Sequence, residues 1–183
     1  MTDQSTPTRL ADGTSPATPQ DLFRRLAELG VETSTMEHAA VFTVEEARAA
    51  RGPIPGCHTK NLFLRDKKGR RMWLVVCRED RAVDLRSLAL RVGASGRLSF
   101  GSAERLMKYL GVTPGAVNPF AVINDHGGVV RVVLDRAILD DPPLNFHPLV
   151  NTMTTSIGPE DFLRFLAAEE HEPKLVDFGH LVP

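Results

Sequence analysis

Cysteine is nearly missing from this chain, with Cys57 and Cys77 the two among 183 residues. Small secreted domains lean on disulfides, but a chain of this length does not need them, so both read as reduced thiols of a cytosolic protein. The same scarcity argues against zinc: there is no C-x-x-C and no H-x-x-x-H, and Cys57 beside His58 is too little for a four-ligand site. No metal and no cofactor is expected. No apolar run approaches the ~18 residues of a membrane span, and the N-terminus lacks a basic start followed by an apolar stretch, so neither membrane insertion nor secretion is expected. The phosphate-loop pattern G-x-x-x-x-G-K-[ST], a G-x-G-x-x-G after a strand and a G-x-S-x-G elbow are all absent. Sequence distance alone does not support Cys57 as a nucleophile with His147 as its base. Charge of one sign is lacking too: 22 Lys and Arg face 23 Asp and Glu. Any nucleic acid must therefore be held by a local basic patch.

What remains is an ordinary globular composition, 42% hydrophobic and 25% charged, at a length that suits one domain with a tail. Residues 1–17 are mostly Ser, Thr, Pro, Asp, Gly and Ala, which predicts a loose tail because such a stretch buries too little to offset its ordering entropy. Thr18 followed by Pro19 predicts a helix start, with Leu22, Leu26 and Leu29 on one stripe and Gly30 at the end. Residues 31–37 read as a strand. Thr43 with Glu46 has capping-box spacing for a short helix to Arg51, which GPIPG then ends.

NLFLRD and MWLVVC flank Lys67-Lys68-Gly69 and predict a hairpin. PFAVIN and VVRVVL flank Asp125-His126-Gly127-Gly128 and predict a second. Between them, stripes at Leu85, Leu88, Ala89 and Val92, and at Ala103, Leu106, Met107 and Leu110 after Ser102, read as core-facing helices. A last helix opens at Pro159 and buries Phe162, Phe165 and Leu166. The expected class is α+β: a curved mixed or antiparallel sheet, or a barrel, with flanking helices.

Three segments look unlike generic scaffold. Gly56-Cys57-His58-Thr59-Lys60-Asn61 puts a cation and an amide where a loop enters an apolar strand, or is simply that strand's start. Gly111 to Pro119 holds two glycines and two prolines between elements, a stiff loop whose backbone N–H groups suit an oxyanion or carboxylate. Asn145 to Asn151 runs into Thr152-Met153-Thr154-Thr155-Ser156, a polar strand that is either an edge or part of a site. His38, His126, His171 and His180 lie in turns or polar stretches, read as solvated, and receive no role. Arg65, Lys67, Lys68, Arg70 and Arg71 crowd one turn against Asp66 alone, which suits acceptor-stem phosphates of tRNA or a plain solvated hairpin tip.

HTKNLFLRDKKG from His58, GVTPGAVNPF from Gly111 and NFHPLVNTMTTSI from Asn145 occur in this order, and together they resemble the YbaK/ProX superfamily of aminoacyl-tRNA editing proteins, in particular the ProXp-ala (PrdX) branch. The likeness spans roughly residues 19 to 170 and implies one editing domain over 18–183. It implies a cytoplasmic deacylase that hydrolyses mischarged Ala-tRNA(Pro). A synthetase pocket cannot exclude alanine by sterics, since each missing methylene is worth only about 1–3 kcal/mol, so a second sieve is needed. By the same resemblance, Lys60 meets the phosphate or ester region of the terminal adenosine and Asn61 orients substrate or water. His147 shapes or polarises the pocket without being an essential base. The Gly115, Ala116, Val117, Asn118 and Pro119 loop, with Thr155, shapes the aminoacyl pocket. The implied partner is the acceptor end of tRNA(Pro), with prolyl-tRNA synthetase a further candidate and a monomer the expected state. Alternatives are a deacylase of Cys-tRNA(Pro) or Ser-tRNA and a silent tRNA- or ligand-binding member. Met153 bears on the sieve only if it points into the pocket.

Overall fold

The computed structural model of the chain describes residues 8–52 and 54–180. The helices begin at their caps. Thr18 and Thr43 each close a full capping box, at α1 (Pro19–Glu28) and α2 (Val44–Arg51). Asp84 and Ser102 cap α3 (Leu85–Val92) and α4 (Ala103–Leu110), both of which end on a left-handed glycine. The last helix, α5, spans Pro159–Ala168.

Eight strands make one mixed sheet: β1 (Thr33–Glu37), β2 (Cys57–Arg65), β3 (Met72–Arg78), β4 (Ser99–Phe100), β5 (Val130–Asp135), β6 (Leu144–Phe146), β7 (Met153–Ile157) and β8 (Lys174–Val176). Their order is β1-β7-β6-β2-β3-β5-β8, with β4 also paired to β2. The class is α+β with a mixed sheet and flanking helices. The β2–β3 hairpin forms in the expected antiparallel register, Lys60 opposite Cys77 and Asn61 opposite Val76.

β3 is buried on both faces. Met72, Leu74 and Val76 join the core under α1, α4 and α5, while Trp73, Val75 and Cys77 join a second core under α3. That is why MWLVVC reads as an unbroken apolar run: a central strand covered on two sides has no solvent face to mark with polar residues.

The second hairpin does not form. Pro119–Asn124 is a 3-10 helix with Phe120, Ala121 and Val122 buried, and β5 pairs in parallel with β3. Pro119 fixes its own φ and has no N–H for a ladder, which suits a helical first position. Once the backbone coils there, the β-prone side chains that follow pack into the core.

The loose-tail expectation over 1–17 also needs correction where residues are described. Leu10 is buried, Ala11 N–H donates to the Lys108 carbonyl at 2.7 Å and Ala17 N–H to Asn124 Oδ1 at 2.8 Å. Residues 1–7 of that stretch lie outside the described residues. The polar strand is not an edge either, since β7 runs between β1 and β6, and β1 takes the edge.

Candidate active site

β2 and β6 are parallel neighbours only over Cys57–His58 and Leu144–Asn145, after which they diverge. The same flank of β2 is taken up again by β4 at Leu64 and Arg65. The split leaves a crevice at the middle of β2 and beyond the end of β6, the place where diverging strands of a sheet receive ligands. A cavity of about 220 Å³ lies there, with Thr59, Lys60 and Asn61 on its β2 wall and Phe146 and His147 on its β6 wall. Gly115 and Val117 close it from the Gly111–Pro119 loop, and Val41, Phe42 and Thr43 from the entry to α2.

The frame around the crevice is held by buried polar contacts. Asn145 Nδ2 donates to the carbonyls of Pro55 and Cys57 at 3.0 and 3.2 Å, while its Oδ1 accepts from Ser156 Oγ at 2.6 Å. It therefore staples β2, β6 and β7 where they part. Gly56 precedes β2 at φ +94°, and a Cβ there would stand 2.1 Å from the Pro143 carbonyl oxygen, so only glycine admits this approach. Gly115 has φ +91°, and its added Cβ would meet the Phe42 ring at 2.9 Å.

Lys60 Nζ donates to the Arg81 carbonyl, in the loop after β3. That loop is fixed by Arg81 Nε on the fully buried Asp135 carboxylate at 3.3 Å. An ammonium has three donors, so the tether positions Lys60 without exhausting it. Asn61 differs: its Oδ1 is buried and has no hydrogen-bond partner among the described residues. Such an orphan acceptor costs about 1–3 kcal/mol; Asn118 Oδ1, inside the core, is in the same state, and Asn61 differs from it in lining the cavity.

His147 Nδ1 lies 2.9 Å from the Met153 carbonyl and donates to it, which fixes the ring's orientation at the cavity. His38 stands 5.9 Å away, ring centre to ring centre. Its Nδ1 donates to the Ala39 carbonyl, and its Nε2 is hydrogen-bonded with Thr154 Oγ1, both at 2.8 Å. His38 and Thr154 line the cavity, as does Glu79, which holds α2 through Arg48 at 2.8 Å. In the sequence His38 and Glu79 fall outside the candidate segments, and Thr154 lies within the polar strand without a role of its own. His38 sits in polar surroundings that carry no motif, and only the β1–β7 pairing brings it to Thr154.

The structure thus gathers Lys60, Asn61, His147, Gly115 and Val117 on one cavity. Ala116, Asn118 and Pro119 point instead into the core behind the loop, and Asn118 Nδ2 donates to the Ala116 carbonyl at 2.7 Å. Thr155 is fully buried on the other face of β7, against Thr35 Oγ1 at 2.8 Å, because alternation along the strand turns Thr154 to the cavity. Met153 is not among the cavity's lining residues.

Arg65, Lys67, Lys68, Arg70 and Arg71 sit at the far tip of the β2–β3 hairpin, five residues and roughly 17 Å along β2 from Lys60 to Arg65. Lys67, Lys68, Arg70 and Arg71 are exposed, and Asp66 is tied up by the Arg70 and Arg71 backbone N–H groups. Burial pushes the Cys57 thiol up to about 11 and the Cys77 thiol up to about 12, so neither supplies a thiolate. Among the described residues no three His, Cys, Asp or Glu side chains gather as a metal would need, and no helix is long and apolar enough to cross a membrane.

The model of the aminoacyl-tRNA editing domain matches residues 38–165, a span that contains every wall of this cavity. The chain belongs to the aminoacyl-tRNA editing domain family. It is 40% identical over 160 residues to a prolyl-tRNA synthetase associated domain-containing protein 1 of Bos taurus, covering 86% of this chain and 93% of that one. It is 37% identical over 158 residues to the prolyl-tRNA editing protein ProX of Acetoanaerobium sticklandii, covering 86% and 96%. A solved structure described as "a putative trans-editing enzyme for prolyl tRNA synthetase" superposes with a TM-score of 0.65 at 18% identity, over 89% of this chain and 98% of that one, and shares the fold.

Proposed function

We propose that this editing-domain protein is a deacylase acting in trans on Ala-tRNA(Pro), hydrolysing the ester between a misattached alanine and the terminal ribose. The observation that carries the reading is Asn61 Oδ1, buried on the cavity wall beside Lys60 without a hydrogen-bond partner among the described residues. A buried acceptor needs a donor, and a substrate ammonium or an attacking water is one.

An aminoacyl ester is already activated, so the site has to hold it, place water and stabilise an oxyanion. Water adds to the ester carbonyl, the carbon–oxygen bond to the ribose breaks, and the proton released by the water passes to the departing ribose oxygen. The vicinal ribose hydroxyl relays that proton, which leaves His147 a polarising and shaping role. Lys60 attracts the phosphate or the developing negative charge, and Asn61 orients substrate or water. Gly115 and Val117 form the loop wall, with Ala116, Asn118 and Pro119 holding it from behind, while Thr155 ties β7 to β1 behind the cavity's Thr154. The narrow cavity supports a sieve for a small side chain. The basic hairpin tip supplies phosphate contacts along the acceptor stem, and prolyl-tRNA synthetase is the candidate for handing over the mischarged tRNA. The protein acts in the cytoplasm as a monomer.

The test is release of labelled alanine from Ala-tRNA(Pro) by wild type and Lys60→Ala. Removing one stabilising donor should cost about 100-fold or more in rate. A variant as fast as wild type contradicts the assignment.

A further inference from the structure

Phe42 is the large apolar side chain at the mouth of the cavity, and it is 68% exposed. It does not belong to a loose loop. Val41 before it is buried and exchanges two hydrogen bonds with Asn151, while Phe42's own N–H donates to Glu46 Oε2 at 2.7 Å inside the α2 capping box. The ring is therefore held beside Gly115, where it would be 2.9 Å from an added Cβ. Phe146, the other phenyl ring of the lining, is 2% exposed and packed edge-on against Phe120, so it has no face to offer.

Cavity size sets the second constraint. At about 220 Å³ it falls below the ~300–1,000 Å³ of pockets that enclose a drug-sized ligand. It has room for an aminoacyl ester and part of a ribose, and the base must lie outside. Nucleobases present a π-face, and an aromatic ring at the rim of a site is the usual surface on which they stack.

We infer that Phe42 is the stacking platform for the adenine of the 3′-terminal nucleotide while its aminoacyl group occupies the cavity; this rests on the editing reading and extends it to a base subsite. Stacking reads no identity, so Phe42 contributes affinity and not discrimination between tRNAs that share the same end.

The experiment compares Ala-tRNA(Pro) deacylation by wild type, Phe42→Ala and Phe42→Tyr. The expected result is a KM raised roughly tenfold in Phe42→Ala with kcat within about twofold, and recovery in Phe42→Tyr. A KM for Phe42→Ala within twofold of wild type, a loss in kcat alone, or no recovery by Phe42→Tyr overturns the inference. A second measurement needs no hydrolysis: Phe42→Trp fluorescence is titrated with adenosine 5′-monophosphate and with ribose 5-phosphate, the buried Trp73 of the wild type, titrated alongside, giving the background to subtract. Quenching by the nucleotide at concentrations about tenfold below those of the sugar phosphate supports stacking, and equal quenching overturns it. If wild type releases no alanine from any tRNA, the editing reading fails and the titration alone decides the stacking.

Discussion

Replacing Asn61 by leucine separates function from fold. Asn61 Oδ1 is buried with no hydrogen-bond partner among the described residues, a cost of about 1–3 kcal/mol to the folded state. Asparagine is also a poor strand residue, whereas Asn61 sits inside β2 opposite Val76. Leucine has the same heavy-atom branching, removes the orphan acceptor and adds apolar burial; against this stand its larger volume and the loss of whatever bonds the amide N–H group makes, about 0.5–1.5 kcal/mol. The net is a gain of roughly 0–2 kcal/mol. For a chain of this size 1 kcal/mol moves Tm by about 2–4 °C, so Asn61→Leu should melt level with wild type or up to ~8 °C higher. Deacylation should fall about 100-fold or more. Calorimetry beside single-turnover alanine release checks both. A variant that melts several degrees lower refutes the reasoning, because the amide would then serve the fold; so does a variant that is more stable and fully active.

Two further outcomes follow from the electrostatics. His171 is buried, with Nε2 3.0 Å from Asp125 Oδ2 and Nδ1 2.5 Å from the Glu169 carbonyl. Burial opposes its charge, but the Asp125 and Glu169 hydrogen bonds and attraction to Asp125 outweigh that and raise its pKa. A raised folded pKa gives stability that is fully present below the unfolded value and lost as pH rises through the folded one. The denaturation deficit of His171→Gln should therefore be larger at pH 5.5 than at pH 8.5, and an equal deficit at both contradicts it. At the hairpin tip, neutralising Lys67 and Lys68 together should lower the slope of log affinity for tRNA against log salt by about 1.4 to 1.8; an unchanged slope removes the tip from the phosphate path.

The parts of the fold that were legible in the sequence were those decided within a few residues. Thr18, Thr43 and Ser102 marked helix starts because their side chains satisfy N–H groups three positions on, and Lys67-Lys68-Gly69 marked a turn that joins adjacent strands. PFAVIN misled because its residues suit a strand while Pro119 and the buried environment set its backbone. The parallel β3–β5 pairing joins segments some fifty residues apart, and local pattern does not encode such a partner. Leu10 and His171 were misread for one reason: a polar neighbourhood in sequence says nothing about the apolar or acidic group that folding delivers.

For the site, Lys60, Asn61, Gly115, Val117 and His147 could be chosen from motif resemblance, and the structure brings them together. Ala116, Asn118, Pro119 and Thr155 share those motifs but face inward, a direction set by backbone turns and strand alternation. His38 and Glu79 come from outside the motifs; β1–β7 pairing brings His38 to the cavity, and Glu79 follows the end of β3, where its backbone N–H donates to the His58 carbonyl.

The most direct test of the account is a side-by-side deacylation of Ala-tRNA(Pro), Pro-tRNA(Pro), Cys-tRNA(Pro), Ser-tRNA and Ala-tRNA(Ala) by the wild-type protein at one salt concentration. The account predicts fast release of alanine from tRNA(Pro), with correctly charged Pro-tRNA(Pro) and Ala-tRNA(Ala) spared. Preference for cysteine or serine would contradict the alanine sieve, and no turnover of any of the five would contradict the deacylase itself.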